Sequence, residues 1–529
     1  MIVFFALMSL LQARAIPIPL GPGTFPITPN TILFGRATPV CLCDGSATAD
    51  RTLFEIVRSC LLTIAACVYR SIHPNIINPK ASLWRRQWLR LKITFYALMT
   101  PEMMIWWAMR QWFGAQIVAD RVNRTHPELR WTRTHGYFAI MGGFSRKGSK
   151  EVLHPPCLVK LLREGKIDVD DLRLTQEDIE DRSKGDVLSK GLVGLQTTWF
   201  IFECLARWQQ DLPLTELEVV TVAFAVLNVF TYLFWWRKPL NVNRPAYVKV
   251  LEEKDVECTC TDTSYLQALA NEEDKKKAGI WRALLGGLGK ALSAMVEAIA
   301  DVFRGIQEIW CAISIKSIFR SVVSAVKTPF RDWRWWPRLI RHAFVAVAWP
   351  LWNLLQDHEV HHDAMSVSTF YGIKIPDATL LAVHILSSLI GVIFGIIHFL
   401  SWNSRFSTHS ELLLWRTSSV VLVVQPLILA LGGLLLAWGQ SKTGGYSEWL
   451  GSLKTIEDLT LKKVVTTIMN FKSPKTTLTL LFGALSATLG LIAYIMARFS
   501  VLVLAFITLH ALPVAVFENV SWTSYIPHL

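Results

Sequence analysis

The chain lacks most of the motifs that would name a chemistry. Its nine cysteines are scattered, with Cys-x-Cys at 41/43 and 258/260 but no pair of CxxC motifs, so a structural zinc site has no ligand set. There is no phosphate-cradling glycine loop; GGLGK at 286–290 has the wrong spacing. No G-x-S-x-G elbow occurs, and the Asp-rich motifs of prenyl transferases are missing, Asp168-Val169-Asp170-Asp171 lying in a polar stretch. No internal repeat emerges, which counts against an inverted-repeat transporter. The net charge of +13 comes without any basic recognition motif, so nucleic acid is not an expected partner. The Lys and Arg residues cluster beside apolar runs, where anionic lipid head groups are the natural counter-charge.

What the chain has in quantity is apolar surface. Hydrophobic residues make up 52%, mean hydropathy is +0.35, and there are 22 tryptophans. That composition overrides the multidomain soluble prior for 529 residues and predicts a polytopic membrane protein with heavy interfacial aromatic use. The expected fold class is an all-α integral membrane bundle of seven or eight transmembrane helices. An amphipathic interfacial region and a soluble loop cap complete it.

In chain order, residues 1–15 read as a signal peptide and 16–50 as a flexible, Pro- and Gly-rich arm. Residues 51–118 hold two spans, Leu53 to Tyr69 and Ile93 to Val118; the loop between carries six Lys/Arg and no acid. In the second span Pro101 predicts a kink beside Glu102, the deepest acid in the chain. Desolvation there favours the neutral acid unless a cation pairs with it, and Arg207 and Gln196 are the candidate partners. Glu102 is open to two readings, a kink-supporting hydrogen bond or a functional carboxyl.

Residues 119–187 form the soluble loop. Residues 188–236 are a transmembrane hairpin with legs Leu192 to Ala206 and Val219 to Trp236. Gln196, Glu203 and Arg207 share one face of the first leg; Glu218, Thr221, Asn228 and Tyr232 share one face of the second. An unpaired charge at mid-membrane costs roughly 3 to above 10 kcal/mol, so both stripes should face protein, with Leu227 opposite them facing lipid. The structural alternative is an i,i+4 pair of Glu203 and Arg207 near the interface.

Residues 237–377 read as a linker followed by amphipathic, interfacial helices. Spans return over 378–516: Ala378 to Leu400, Ser418 to Trp438, and a block Thr477 to Val516 read as two tight spans divided near Arg498. A tail, 517–529, follows. Orientation does not resolve. A cleaved signal puts the 70–92 loop inside and the sequons at Asn123 and Asn519 outside, whereas the Lys/Arg count over all spans favours the reverse.

Dense chemistry occurs once, in Asp357-His358-Glu359-Val360-His361-His362-Asp363. It fits H-E-x-x-H and also H-x-x-H-H, so His358, His361 and His362 are candidate metal ligands. Neither pattern has its complement: no third zinc ligand follows, and the later histidines stand alone. A chance surface cluster is the bland alternative.

The runs DRSKGDVLSKGLVGLQTTWFI, LPLTELEVVT and FWWRKPLNVNRP carry a resemblance. So do RTLFEIVRSCLLTIAACVYRSIHPN (51–75), TPE (100–102) with RQW (110–112), WTRTHGYFAIMGGF (131–144), STFYG (368–372), STHSELLLWRTSSV (407–420) and WTSYIPHL (522–529). Together they resemble a large family of multi-pass membrane proteins of filamentous fungi, especially mushrooms. The resemblance implies the architecture and supplies no activity, cofactor or oligomeric state.

Three functions follow as expectations. The first is a transporter-like or receptor-like protein whose ligand site is built from Glu102, Arg110, Gln196, Glu203, Arg207 and Asn228. The second is a membrane enzyme for a lipophilic substrate, using Glu102 or the histidines. The third is a scaffold.

Overall fold

The computed structural model describes residues 51–78, 81–149, 151–183, 186–242, 244–251, 364–440 and 474–521. The signal, the arm, the interfacial region to residue 363 and the histidine cluster lie outside the described residues.

Helix starts follow from local capping chemistry. Thr52 and Glu55 form a capping box for α1 (Leu53–Ala65), which continues as a π-helical turn to Arg70. Ser82 caps α2 (Leu83–Met99), and α3 (Pro101–Thr125) begins directly on a proline. A cap of short elements follows: α4 (Arg133–Ile140), β1 (Phe144–Arg146), α5 (Pro155–Arg163) and α6 (Gln176–Asp181). Then come α7 (Asp186–Gln209), α8 (Glu216–Trp235) and β2 (Ala246–Val248), which pairs in parallel with β1, Phe144 opposite Ala246. The remaining helices are α9 (Asp377–Ile397), α10 (His409–Gln440) and α11 (Pro474–Ile507).

Helix α8 is the spine. Its stripe residues Glu218, Thr221 and Asn228 are buried, as the spacing predicts. Leu227 is buried too, at 1% exposure, because α8 packs against α1, α3, α7, α9 and α11. Val229 and Leu233 are its outward residues.

Four helical segments are long and apolar enough to cross a membrane: Glu216–Trp235, Thr379–Ser401, His409–Gly432 and Gly490–His510. Seven or eight were expected; the expected spans Leu53 to Tyr69 and Leu192 to Ala206 are helices (α1 and α7) outside these four, and two further expectations change among the described residues. The block after Thr477 is a single helix, α11, with Arg498 in its interior rather than at a divide. The expected second span is not one helix. It breaks at Thr100 (φ −145°, ψ 64°), and Pro101 occupies the first position of α3, where its missing N–H costs nothing.

The break turns the chain back. Arg90, ten residues before it, donates to Asn241 (2.6 Å) and lies over the Tyr69 ring. Gln111, eleven residues after it, accepts from Trp235 Nε1 (3.1 Å) and from Lys238 Nζ (2.8 Å). Both legs therefore pass the C-terminal end of α8, α3 running on from there to Thr125, and Tyr96 and Trp107 meet one ring, Phe370. α2 and the first half of α3 form a helical hairpin with Thr100-Pro101-Glu102 at its tip, and Pro101 and Glu102 are buried.

Candidate functional site

Three polar layers are strung along α8. At its start, Arg51 forms a two-pronged pair with Glu218 (2.6 and 3.3 Å), whose other contacts are the Thr215 N–H and hydroxyl. Arg51 also donates to the Val516 carbonyl (2.7 Å). Arg207 donates to the carbonyls of Val516 (3.0 Å), Pro213 (3.1 Å) and Glu518 (2.7 Å). Each guanidinium thus fastens the C-terminal segment to the α7–α8 turn. Glu203 is half-buried one turn before Arg207.

Just past the other end of α8, Lys238 is fully buried. Its ammonium donates to the His73 carbonyl, Gln111 Oε1 (2.8 Å) and Asn75 Oδ1 (3.4 Å). The faces of Trp107 and Trp235 lie 4.7 and 4.8 Å away. Gln111 and Asn75 in turn hold the carbonyls of Ser368, Thr369 and Tyr371. Arg110 reaches the carbonyls of Gly372 and Ile373, both at 3.4 Å.

The middle layer is the hairpin tip. Glu102, in the first turn of α3, accepts from the Tyr494 hydroxyl (2.6 Å) and from Arg498 Nη2. A cation does pair with it, and that cation comes from α11 rather than from Arg207 or Gln196. Gln196 instead donates to Thr63 Oγ1 on α1 (3.1 Å). The Arg498 guanidinium carbon sits 3.6 Å from the centroid of Phe394 and 5.7 Å from that of Phe224. Gly391 makes room for the tip, since a Cβ there would stand 2.9 Å from Glu102 Cγ and 3.1 Å from Pro426 Cβ. Four helices thus converge on the tip from the middle of their apolar segments.

This layer also holds unspent polar atoms. Arg498 is 1% exposed, yet its Nε and Nη1 have no hydrogen-bond partner among the described residues. Asn228 Oδ1, one turn beyond Phe224 on α8, and His398 Nε2, four residues after Phe394, are buried without partners too. A buried polar group left unpaired costs about 1–3 kcal/mol; Arg207 Nε in the first layer and His73 Nε2 and Ser368 Oγ in the Lys238 layer are unpaired too, so what sets the middle layer apart is two unpaired N–H groups on one buried guanidinium. Of the six residues expected to share a site, Glu102 belongs to this level, and Asn228 lies one turn of α8 from Phe224 towards the Lys238 end. Arg110 stands at the Lys238 level, Glu203 and Arg207 at the Glu218 level, and Gln196 faces α1.

Residues 42–268 match a family of unknown function, DUF8562. No curated protein and no solved structure matches the chain. The matched stretch contains Glu102, Asn228 and Lys238 but stops well before Arg498 and Tyr494. Sequence reasoning missed those two because nothing in local spacing ties them to Glu102; the one signal was an arginine alone in an apolar run. The sequons separate as well. Asn123 lies inside α3, its amide bonded twice to the Trp131 backbone (2.8 and 2.6 Å), at the cap end. Asn519 is exposed beside Glu518, at the opposite end.

Proposed function

We propose that this is a multi-pass membrane protein with a transporter-like or receptor-like role, and that its small ligand is received at the Glu102–Arg498–Tyr494 layer. The observation that carries the reading is the break at Thr100. It brings a helix N-terminus, an ion pair and unpaired guanidinium N–H groups to the middle of four apolar helices. Discontinuous helices that end at mid-depth are how many transporters face a solute. A scaffold has no use for N–H groups left unbonded there.

In this reading α1, α7, α8, α9, α10 and α11 cross the bilayer, and α2–α3 dips in and returns. The six crossings then replace the seven or eight expected from hydropathy. Lipid meets the outward side chains of α7 and α11, such as Leu195, Trp199 and Phe202, or Met496 and Phe499, all more than half exposed.

The test is a solute screen on the detergent-purified full chain, reading the shift in melting temperature. A hit should stabilise the wild type and lose its effect in Arg498→Gln. Hits whose effect survives that change unaltered would place the ligand elsewhere and defeat the reading.

A further inference from the structure

We propose that the ligand of the middle layer is a small monocarboxylate with an apolar body, taken by Arg498 in exchange for Glu102. The inference rests on the ligand-site reading above and adds the chemical class.

The charge balance leads to it. Arg498 contributes one positive charge and Glu102 one negative, and the N-terminus of α3 adds a further partial positive charge at the tip. In so apolar a place, a dianion added to this set, or exchanged for Glu102, leaves net charge unscreened, and so does a cation. A monoanion that takes over the Arg498 contact leaves the sum unchanged when Glu102, as it lets go, takes up one proton from the aqueous side. The titratable groups facing Glu102 are Arg498 and Tyr494 of α11, with His398 beyond Phe394; α8 and α10 bring Phe224 and Pro426 to this level.

The geometry selects the head group. Nη2 donates both to Glu102 and to the Tyr494 hydroxyl (2.9 Å), while Nε and Nη1 have no partner among the described residues. A planar carboxylate that displaces Glu102 from its edge of the fork would therefore find a second, free N–H there and make a two-pronged contact. The walls select the rest of the molecule. Phe394 covers one face of the guanidinium and Phe224 stands behind it, so the part of the ligand beyond the carboxylate meets aromatic carbon.

The probes are butyrate and benzoate, titrated calorimetrically into the full chain in detergent, with succinate, butylamine and chloride alongside. Wild type should bind both acids. Glu102→Gln, which removes the competing carboxylate and keeps its shape, should bind them about tenfold tighter, the worth of one charged contact. Arg498→Gln should bind them at least about tenfold more weakly. Should Arg498→Gln fail to fold, Glu102→Gln alone decides. Affinity unchanged by Glu102→Gln, or preference for succinate, butylamine or chloride, overturns the proposal. Butylamine binding that is lost in Glu102→Leu would overturn the carboxylate class while leaving the ligand site standing. If neither acid binds wild type or Glu102→Gln, the proposal fails, and the broader solute screen separately decides the site.

Discussion

Glu102 takes its counter-charge from Arg498, 396 residues further along the chain. The pair joins the tip of a helical hairpin to the middle of the last helix. Both side chains are almost fully buried, at 11% and 1% exposure, so neither charge has water to fall back on.

Breaking such a pair from one side strands the other charge. Glu102→Leu should lower stability by about 3–5 kcal/mol, read as a drop in melting temperature in detergent. Adding Arg498→Met should restore most of the loss, since the double change leaves no buried charge. A double variant as unstable as the single one would mean that the tip is held by packing against Gly391 and Pro426 instead.

The α7–α8 hairpin was legible because each leg carries an apolar run and a polar stripe; the capping box of Thr215 and Glu218 that starts α8 came from the structure. Span Ala378 to Leu400 was equally plain, and the structure puts a helix at Asp377–Ile397. The break at Thr100 was not legible. Two half-length legs in sequence fill a hydropathy window as one full-length span does, and Pro101 reads alike as a kink or as a first residue. Arg498 was misread for a related reason. A charge in an apolar run suggests a divide unless its partner is known, and the partner is hundreds of residues away.

Read as re-entrant, the α2–α3 hairpin also removes the conflict over orientation. If residues 93–118 crossed, the basic loop 70–92 and the cap would lie on opposite sides. Since they turn back, both lie at the Lys238 end. The short turns at the Glu218 end, 210–215 and 402–408, carry Arg405 as their one basic residue. With the hairpin read as dipping in and returning, the positive-inside rule predicts the Lys238 end in the cytoplasm. In intact cells a membrane-impermeant maleimide should label Asn403→Cys above the parent's background, and Glu177→Cys after permeabilisation alone. Both residues are exposed and lie at opposite ends. Labelling of both in intact cells would rule out this topology.

Acid should loosen the cap through His135. Its Nδ1 accepts from the Thr132 N–H (3.1 Å), and its Nε2 faces the Leu174 carbonyl (2.9 Å), so the neutral ring with a proton on Nε2 fits. Burial lowers its pKa below the ordinary histidine value, against a weaker upward pull from the Leu174 carbonyl. The stability from the neutral ring is thus complete above the unfolded value of about 6.5. It is lost as pH falls from there through the folded value. His73, buried beside Lys190 and Lys238, is lowered too and has the same sign. The melting temperature should fall between neutral and mildly acidic pH, and His135→Gln should reduce the slope without abolishing it. A slope unaltered by His135→Gln would assign the acid response to other groups.

Lys238 is the residue whose loss should loosen α2, α3 and residues 368–373 from the end of α8. Its ammonium joins the loop after α1 (the His73 carbonyl and Asn75), the middle of α3 (Gln111) and the end of α8 (Trp235). Lys190 of α7 closes the same junction by donating to the carbonyls of Trp236 (2.8 Å) and Lys238 (3.2 Å). Lys238→Met keeps the length of the side chain and the contact with both indoles but strands the His73 carbonyl, while Gln111 Oε1 keeps the Trp235 indole N–H and Asn75 Oδ1 the Gln111 amide. A stranded acceptor costs about 1–3 kcal/mol, so this change should cost more than Glu102→Gln, which keeps a hydrogen-bonding group in place. Lys238→Arg should not rescue it. A planar guanidinium is wider than the ammonium that now fits between rings 4.7 and 4.8 Å away. Hydrogen exchange gives the sharper reading. Protection should fall in α2, α3 and residues 368–373, which depend on this junction, and hold in α9 and α10, which pack on each other through Gly395 with no room for a Cβ. Uniform loss of protection across all helices would show that Lys238 supports the whole bundle and not this junction.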